Sequence, residues 1–366
     1  MGKPLRSSTS ERTRAGAARD PLPPLSRALD RLLDRGSTRD AGDVTLLISM
    51  GKGGTGKTTV AASLAVRLAS DGFRVLVASI DPAHNLGDVL ERPLGSEPSA
   101  VPGAPGLWAL EVDTDRALER YLERASREVT DAYRYLETLN LDRFLEGLRY
   151  APGVEEQATL EAVGELLQQA EADRFDVLVL DTPPTGQTLR VLALPGISLR
   201  WAQELHRVRR AILDRRQAVS RILGHETAVV GGEQVTLPSE EEGDPISRIL
   251  AAYVEQTRRL RQRFQDVDRT GVLLVRNPDR LSGLESQRAL GTLGRFGVPL
   301  AQVVVNRTDP REPAGTSADA LPLPDLYPHG RLPLLQPEPS GAEALRALST
   351  LMLDPAGSQS RGGTER

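Results

Sequence analysis

One nine-residue run concentrates the groups in this chain that can do chemistry: Gly51-Lys52-Gly53-Gly54-Thr55-Gly56-Lys57-Thr58-Thr59. The spacing Gly51…Gly56-Lys57-Thr58 is that of a P-loop. Its glycines let successive backbone N–H groups curl round phosphate oxygens with no Cβ in the way. Lys57 is placed to bridge the β- and γ-phosphates of a bound nucleotide, and the Thr58 hydroxyl to ligate Mg²⁺. The pattern carries this meaning only between a strand and a helix. Here it follows the apolar run Val44 to Met50 and precedes a helical pattern from Val60 to Ala69. The N-terminus of that helix adds positive partial charge at the same point.

Two carboxylates stand at the ends of strands. Arg74–Ile80 runs into Asp81-Pro82-Ala83-His84-Asn85-Leu86-Gly87-Asp88, and Phe175–Leu180 runs into Asp181-Thr182-Pro183-Pro184-Thr185-Gly186-Gln187-Thr188. A carboxylate at the C-terminal end of a parallel strand beside a P-loop points into the ligand crevice. There Asp81 can order or deprotonate an attacking water, or reach Mg²⁺ through water. Asp181, closing an apolar strand, reads as a Walker B residue that holds a Mg²⁺-bound water. The Pro- and Gly-containing segment behind it can take two positions, as a γ-phosphate sensor needs. His84 has no companions at ligand spacing and reads as loop packing. Lys52 falls too early to be the P-loop lysine. A cation there points out of the loop, either into solvent or toward a phosphate held by a neighbouring subunit.

These residues need a frame. The expected order is strand Val44–Met50, helix 57–70, strand Arg74–Ile80, a Pro/Gly/Ser-rich loop 91–106 and strand Leu107–Val112. A helical stretch from Asp115 to Ala170, broken at Pro152-Gly153, leads to strand Phe175–Leu180. Two amphipathic segments and the strands Val272–Val275 and Gln302–Val305 complete it. Near-continuous apolar strands alternating with helices predict an α/β fold, a doubly wound, mostly parallel sheet with an inserted helical subdomain. The domain should span 43–352, with helical insertions at about 113–172 and 197–266. Residues 1–42 read as a disordered extension in which Leu25, Leu29, Leu32 and Leu33 fall at helical spacing, and 353–366 as a disordered tail.

Composition narrows the functions. The net charge of −4 gives no bulk basicity for general nucleic-acid binding. The absence of cysteine removes disulfides, thiolate metal sites and thiol catalysis together. No apolar run approaches the roughly 18 residues of a membrane span, and the N-terminus lacks the hydrophobic core of a secretory signal. A cytoplasmic location is the expectation.

With Lys52 in place, GKGGTGKTT resembles the deviant P-loop of the dimerising MinD, ParA, nitrogenase iron protein and ArsA class of ATPases. GKGGTGKTT, DPAHNLGD and DTPPTGQTLRVLALP, in that order and spacing, resemble the ArsA family. That family comprises the arsenite-pump ATPase and the guided-entry ATPases that target tail-anchored membrane proteins. LWALEVD, APGVEE, the run from Gly271 through VVVN to Asn306, and LPLLQPEPSGAEAL extend the resemblance over about residues 43 to 352. It implies a homodimer that binds ATP and Mg²⁺ and hydrolyses ATP with two nucleotides facing each other across the interface. It implies that Asp81 activates the hydrolytic water, that Lys52 reaches the partner's nucleotide, and that Asn306 reads the adenine. Asp279, in Asn277-Pro278-Asp279, stands where the family has a nucleotide-contacting glutamate one methylene longer. Plainer readings are open too: Asn306 as a loop cap, Asp279 as a turn or helix cap. Gln187 stands where relatives commonly carry His.

Between the Asp181 segment and strand Val272–Val275, one apolar stripe runs through Trp201, Leu205, Val208, Ile212, Val219 and Ile222. A second runs through Ile246, Leu250, Tyr253, Leu260 and Phe264. Seven arginines against two acids fall between Ile197 and Gly224. Either these helices cover the core with solvated arginine faces, or, as the resemblance implies, they wall a groove for the transmembrane helix of a client. Methionine, which such grooves favour, occurs only at Met1, Met50 and Met352, and 225–243 is polar and Gly/Glu-rich. The Pro/Asp-rich loop 307–330 has no CxxC zinc clasp of the kind that joins subunits in targeting relatives, so no zinc is expected. Soft metalloids need thiolates, and the chain has none. The favoured reading is therefore an ATP-driven factor for a hydrophobic protein client or membrane partner. Its competitors are an ATPase subunit of an anion efflux pump and a ParA/MinD-like positioning switch. The latter would place DNA on the arginine-rich helix 200–221, and salt-sensitive binding would reveal it; nucleic acid is not the expected partner.

Overall fold

The strand β1 (Thr45–Gly51) is buried at every position and pairs in parallel with two strands remote in sequence, β5 (Val177–Asp181) and β8 (Thr270–Arg276). A strand bonded at both edges and covered on both faces has no polar side to present. That is why TLLISMG, VLVLD and TGVLLVR read as apolar runs and not as alternations. The fold is described from a computed structural model covering residues 43–132, 147, 149–224, 227–230, 233–309 and 329–353. The leucine spacing near residue 29, the loop 310–328 and the tail from 354 lie outside these residues.

Beyond β5 the sheet continues with β2 (Val75–Ser79), β4 (Leu107–Glu111) and the short antiparallel β3 (Ser99–Ala100). Beyond β8 it continues with β9 (Leu300–Thr308) and β10 (His329–Pro333). The order β10-β9-β8-β1-β5-β2-β4-β3 gives the expected α/β architecture. It reverses beside β1, and open α/β sheets bind ligands outside the strand ends at such a point.

Two apolar layers flank the sheet. On one face pack α1 (Lys57–Ser70), α2 (Leu86–Val89) and α8 (Gly341–Leu353). On the other lie α3 (Thr114–Ala132), α4 (Val154–Ala172), α5 (Thr185–Leu223), α6 (Pro245–Gln265) and α7 (Arg280–Phe296). Alternate residues of β1 serve the two layers, Leu47 the first and Leu46, Ile48 and Met50 the second.

Helix α5 differs from its expected form. It begins at Thr185, ahead of the Ile197 start of the expected insertion, and runs for 39 residues through Pro195. A proline inside a helix costs about 3 kcal/mol. Burial of Val191, Leu192, Leu199 and Ala202 on either side offsets it, at roughly 1.5–3 kcal/mol for each large side chain. Its apolar stripe is not a core face. Trp201 is 68% exposed, Leu205 49%, Val208 58% and Ile212 40%, while Leu199, Ala202, Leu213 and Arg209 face inward. The second stripe does turn Leu260 and Phe264 into the core. The polar segment after α5 contains an antiparallel hairpin, β6 (Thr227–Val230) with β7 (Glu233–Thr236), which was not expected from its composition.

Arg209 explains how a charge is tolerated under α5. Its guanidinium donates to both oxygens of Asp244, at 2.9 and 2.6 Å. Asp244 is fully buried and also caps α6, accepting from the Ser247 N–H at 2.8 Å and the Ser247 hydroxyl at 2.7 Å. Burial alone would raise its pKa, but the hydrogen bonds from Arg209 and Ser247 and the Arg209 charge outweigh it and hold the carboxyl at about 2. Among the described residues no helix is long and apolar enough to cross a membrane.

Candidate functional site

The loop between β1 and α1 is shaped by its glycines. Gly56 is the N-cap of α1 in the left-handed conformation, φ 86°, and brings no side-chain cap, so the first-turn N–H groups of the helix stay available. A Cβ on Gly51 would lie 2.2 Å from the Val275 carbonyl oxygen, and one on Gly56 would lie 2.4 Å from Asn306 Nδ2. Close approach to β8 and β9 therefore requires glycine at both. The Thr55 hydroxyl donates to the Lys52 carbonyl at 2.8 Å and tightens the turn.

Strand register assembles the carboxylates. Asp181 sits level with Ser49 of β1 and Ser79 of β2, so it ends between them directly below the loop. Its Oδ2 accepts from the Thr58 hydroxyl at 2.9 Å and the Ser79 hydroxyl at 3.1 Å. Its Oδ1 is buried with no hydrogen-bond partner. Burial pushes the Asp181 carboxyl up to about 6, against the opposing pull of the Thr58 hydrogen bond and the Lys57 charge. An orphaned carboxylate oxygen beside a threonine hydroxyl, with only oxygen donors around it, fits a hydrated hard cation such as Mg²⁺. Asp81, two residues past Ser79, is nearly buried, and its Oδ2 lies 4.0 Å from the buried Lys57 Nζ. Its Oδ1 accepts from the Ala83 N–H at 3.1 Å.

The segment after Asp181 is tied to both strand and helix. The Thr182 hydroxyl donates to the Ser49 carbonyl at 2.7 Å. The Thr188 hydroxyl, in the first turns of α5, lies 2.7 Å from the Pro183 carbonyl and 2.9 Å from the Thr182 hydroxyl. Gln187 beside it is exposed.

Lys57, Thr58, Asp81 and Asp181 thus converge, and Asn306 adjoins them. Asn306 Nδ2 donates to the Thr55 carbonyl at 2.8 Å, and its Oδ1 accepts from the Arg307 N–H at 2.9 Å, which fixes the amide plane against the loop. A small cleft of about 50 Å³ opens there between Gly56, Thr59, Asn306 and Pro333. Lys52 stands apart, partly exposed, with its Nζ 3.8 Å from Glu285 of α7. Asp279 is the N-cap of α7, accepting from the Ser282 N–H at 2.9 Å. His84 adopts φ 49° with Nδ1 3.7 Å from Glu111, a carboxylate that also accepts from the Gly87 N–H at 2.9 Å. Sequence reasoning passed over Ser49, Ser79, Thr182 and Thr188. Small hydroxyls embedded in otherwise apolar strands were the available signal for the first two.

Compared with known proteins, residues 44–318 match the ArsA family model, described as anion-transporting ATPase. The chain is 32% identical to the ATPase ARSA2 of Chlamydomonas reinhardtii over 325 residues, 83% of each chain. It is 30% identical to the ATPase GET3B of Arabidopsis thaliana over 274 residues, 71% of this chain and 63% of that one. It is 28% identical to the ATPase get3 of Aspergillus terreus over 322 residues, 83% of this chain and 89% of that one.

Proposed function

The chain belongs to the ArsA family of ATPases and hydrolyses ATP, and on that premise we propose that it is a Mg²⁺-dependent, nucleotide-switched homodimer that handles a hydrophobic protein client in the cytoplasm. The loop Gly51, Gly53, Gly54, Thr55, Gly56, with Thr59 behind it, cradles the phosphates through backbone N–H groups. Lys57 leaves the Asp81 carboxylate for the β- and γ-phosphate oxygens. Thr58 directly, and Asp181 through water, are the residues to hold Mg²⁺, which when bound offsets charge on those oxygens. Asp81, freed from Lys57, orients the attacking water and accepts its proton as the terminal phosphoryl group is displaced in line, giving ADP and phosphate. Asn306 presents its second N–H and its remaining lone pair to the base edge. Asp279 borders the nucleotide from the start of α7. Lys52 extends across the dimer toward the partner's nucleotide.

The observation that carries the client reading is the uncovered stripe Ile197, Trp201, Leu205, Val208 and Ile212 on α5. Single exposed apolar residues need no explanation, but a contiguous row marks an interaction surface. This row is about 22 Å long at 1.5 Å per residue, most of the roughly 30 Å hydrocarbon length of a membrane helix. The same helix is anchored through Thr188 to the segment behind Asp181, so loss of the γ-phosphate has a rigid element on which to act.

The test is capture of a fluorescent transmembrane-helix peptide by the Asp81→Asn protein, which should bind Mg·ATP without turning it over. Peptide should sediment with a dimer when ATP is present and not with ADP, and Trp201→Asp with Leu205→Asp should abolish capture. Nucleotide-independent capture would refute the switch. Turnover stimulated by arsenite or antimonite would favour the pump reading in place of the client.

A further inference from the structure

A second cavity lies at the opposite end of the strands from the P-loop. α6 and α7 end there and β8 and β9 begin, whereas the P-loop leaves the C-terminal end of β1. The cavity holds about 330 Å³ and lies between α5, α6 and α7. Each helix contributes one arginine to its lining: Arg200, Arg261 and Arg295. No Asp or Glu of the described residues lines it.

Several neighbouring arginines on α5 and α6 are paired with acids. On α5, Arg207 is matched by Glu204, Arg209 by Asp244 and Arg210 by Glu241. On α6, Arg258 and Arg259 share Glu255. Arg200, Arg261 and Arg295 form no ion pair or side-chain hydrogen bond with any described residue. Three like charges turned to one concave surface repel one another, and an anion between them relieves that repulsion. The planar guanidinium matches carboxylate and phosphate oxygens in pairs. Below the arginines the lining is apolar, with Phe264 and Val298 buried and Phe296 partly so. The floor is braced, because Gln265 Nε2 donates to the Phe296 carbonyl at 2.7 Å and joins the end of α6 to the end of α7. The volume falls within the roughly 300–1,000 Å³ usual for small-ligand sites.

We propose that this cavity binds a small organic anion: a phosphate or carboxylate group held by the three arginines, carried on a ring-sized apolar part that rests on the phenylalanines. The site is independent of the nucleotide and of the client reading.

The experiment is calorimetric titration of the full chain, saturated with Mg·ADP to occupy the P-loop, using phenyl phosphate, inorganic phosphate and phenol as probes. Phenyl phosphate should bind once per chain, about tenfold more tightly than inorganic phosphate, since only the former covers the apolar floor. Phenol should not bind measurably, and added salt should weaken phenyl phosphate binding. Arg261→Gln with Arg295→Gln should lower phenyl phosphate affinity about tenfold or more, the loss expected for charge-assisted hydrogen bonds. All three arginines are exposed, and unchanged Mg·ADP affinity verifies the fold of the variant; Arg200→Gln, on a different helix, should give the same direction of change. No binding of phenyl phosphate, binding that survives both sets of substitutions, or displacement by Mg·ADP would overturn the proposal. Equal affinity for inorganic phosphate would overturn the apolar half of it.

Discussion

Asp181 and Asp244 are both wholly buried, and their surroundings treat them in opposite ways. Asp244 has both oxygens engaged, by a bidentate guanidinium and by the Ser247 N–H and hydroxyl, and its pKa is held at about 2. Asp181 has one oxygen engaged by two hydroxyls and the other by nothing, and burial carries its pKa to about 6. A buried charge whose bonds are complete belongs to the structure. One whose bonds are half complete marks where something else must arrive. Sequence shows only one side of this contrast: Asp181 ends a recognisable motif, while Asp244 follows a Gly/Glu-rich segment and belongs to none.

The largest effect should come from breaking the complete pair. Asp244→Ala leaves Arg209 buried without a counter-charge, and removal of one partner from such a pair costs about 3–5 kcal/mol. Denaturant unfolding should show that loss, with turnover per folded molecule retained. Replacing both residues with apolar ones of similar size should recover much of it; if the double variant is no better than the single, the loss comes from the α6 cap and not from the stranded charge.

The complementary change on the other side is Asp181→Asn. It keeps the bonds from Thr58 and Ser79 and lifts the cost of an unpartnered buried charge, so nucleotide-free stability should hold or rise. Turnover should fall about a hundredfold or more, as when a preorganised electrostatic group is removed from a reacting centre. Stability lost without turnover lost would reverse the assignment of the two aspartates.

The same contrast shows what the sequence could and could not carry. The P-loop and the apolar strands were legible because each is a local pattern: glycines at fixed spacing, and runs with no polar face. The Ser79 partner of Asp181 was not, since it stands 102 residues away and meets it only through strand register, whereas Thr58 was placed beside Asp181 by the shared Mg²⁺ reading. The continuity of α5 was hidden by Pro195, a residue that signals a stop unless flanking burial outweighs it. The stripe on α5 was legible as a stripe, but periodicity cannot say whether a neighbour covers it. The hairpin of β6 and β7 was masked by short, polar flanks. The plainer reading of Asp279 as a turn or helix cap was legible from its residue type, and it caps α7 by accepting from the Ser282 backbone N–H.

A smaller effect than either substitution is expected from pH. The folded pKa of Asp244 lies below the usual unfolded value near 3.9. Its contribution to stability is therefore complete above about pH 4 and is lost as pH falls through 2. A shift of roughly two units corresponds to about 2–3 kcal/mol. Unfolding free energies measured between pH 5 and pH 2 should fall by about that much more in the native chain than in an Arg209→Met, Asp244→Leu double variant. Parallel curves would mean that Asp244 does not carry the acid sensitivity.

The smallest effect should come from the pair at the surface. Lys52 and Glu285 lie 3.8 Å apart, each more than a third exposed, so solvent screens their attraction. Such pairs contribute about 0–1 kcal/mol. Glu285→Gln should accordingly leave the unfolding free energy nearly unchanged, where Asp244→Ala changes it severely. A drop of several kcal/mol would show that exposure is a poor guide to which charges this fold depends on. With stability set aside, the variant isolates the second role proposed for Lys52. A lysine released from Glu285 is freer to cross a dimer interface, so the ATP concentration needed for half-maximal dimerisation, followed by sedimentation, should stay level or fall. A rise would mean that Glu285 holds Lys52 in the pose the dimer uses, and that the contact belongs with the complete, structural kind of charge after all.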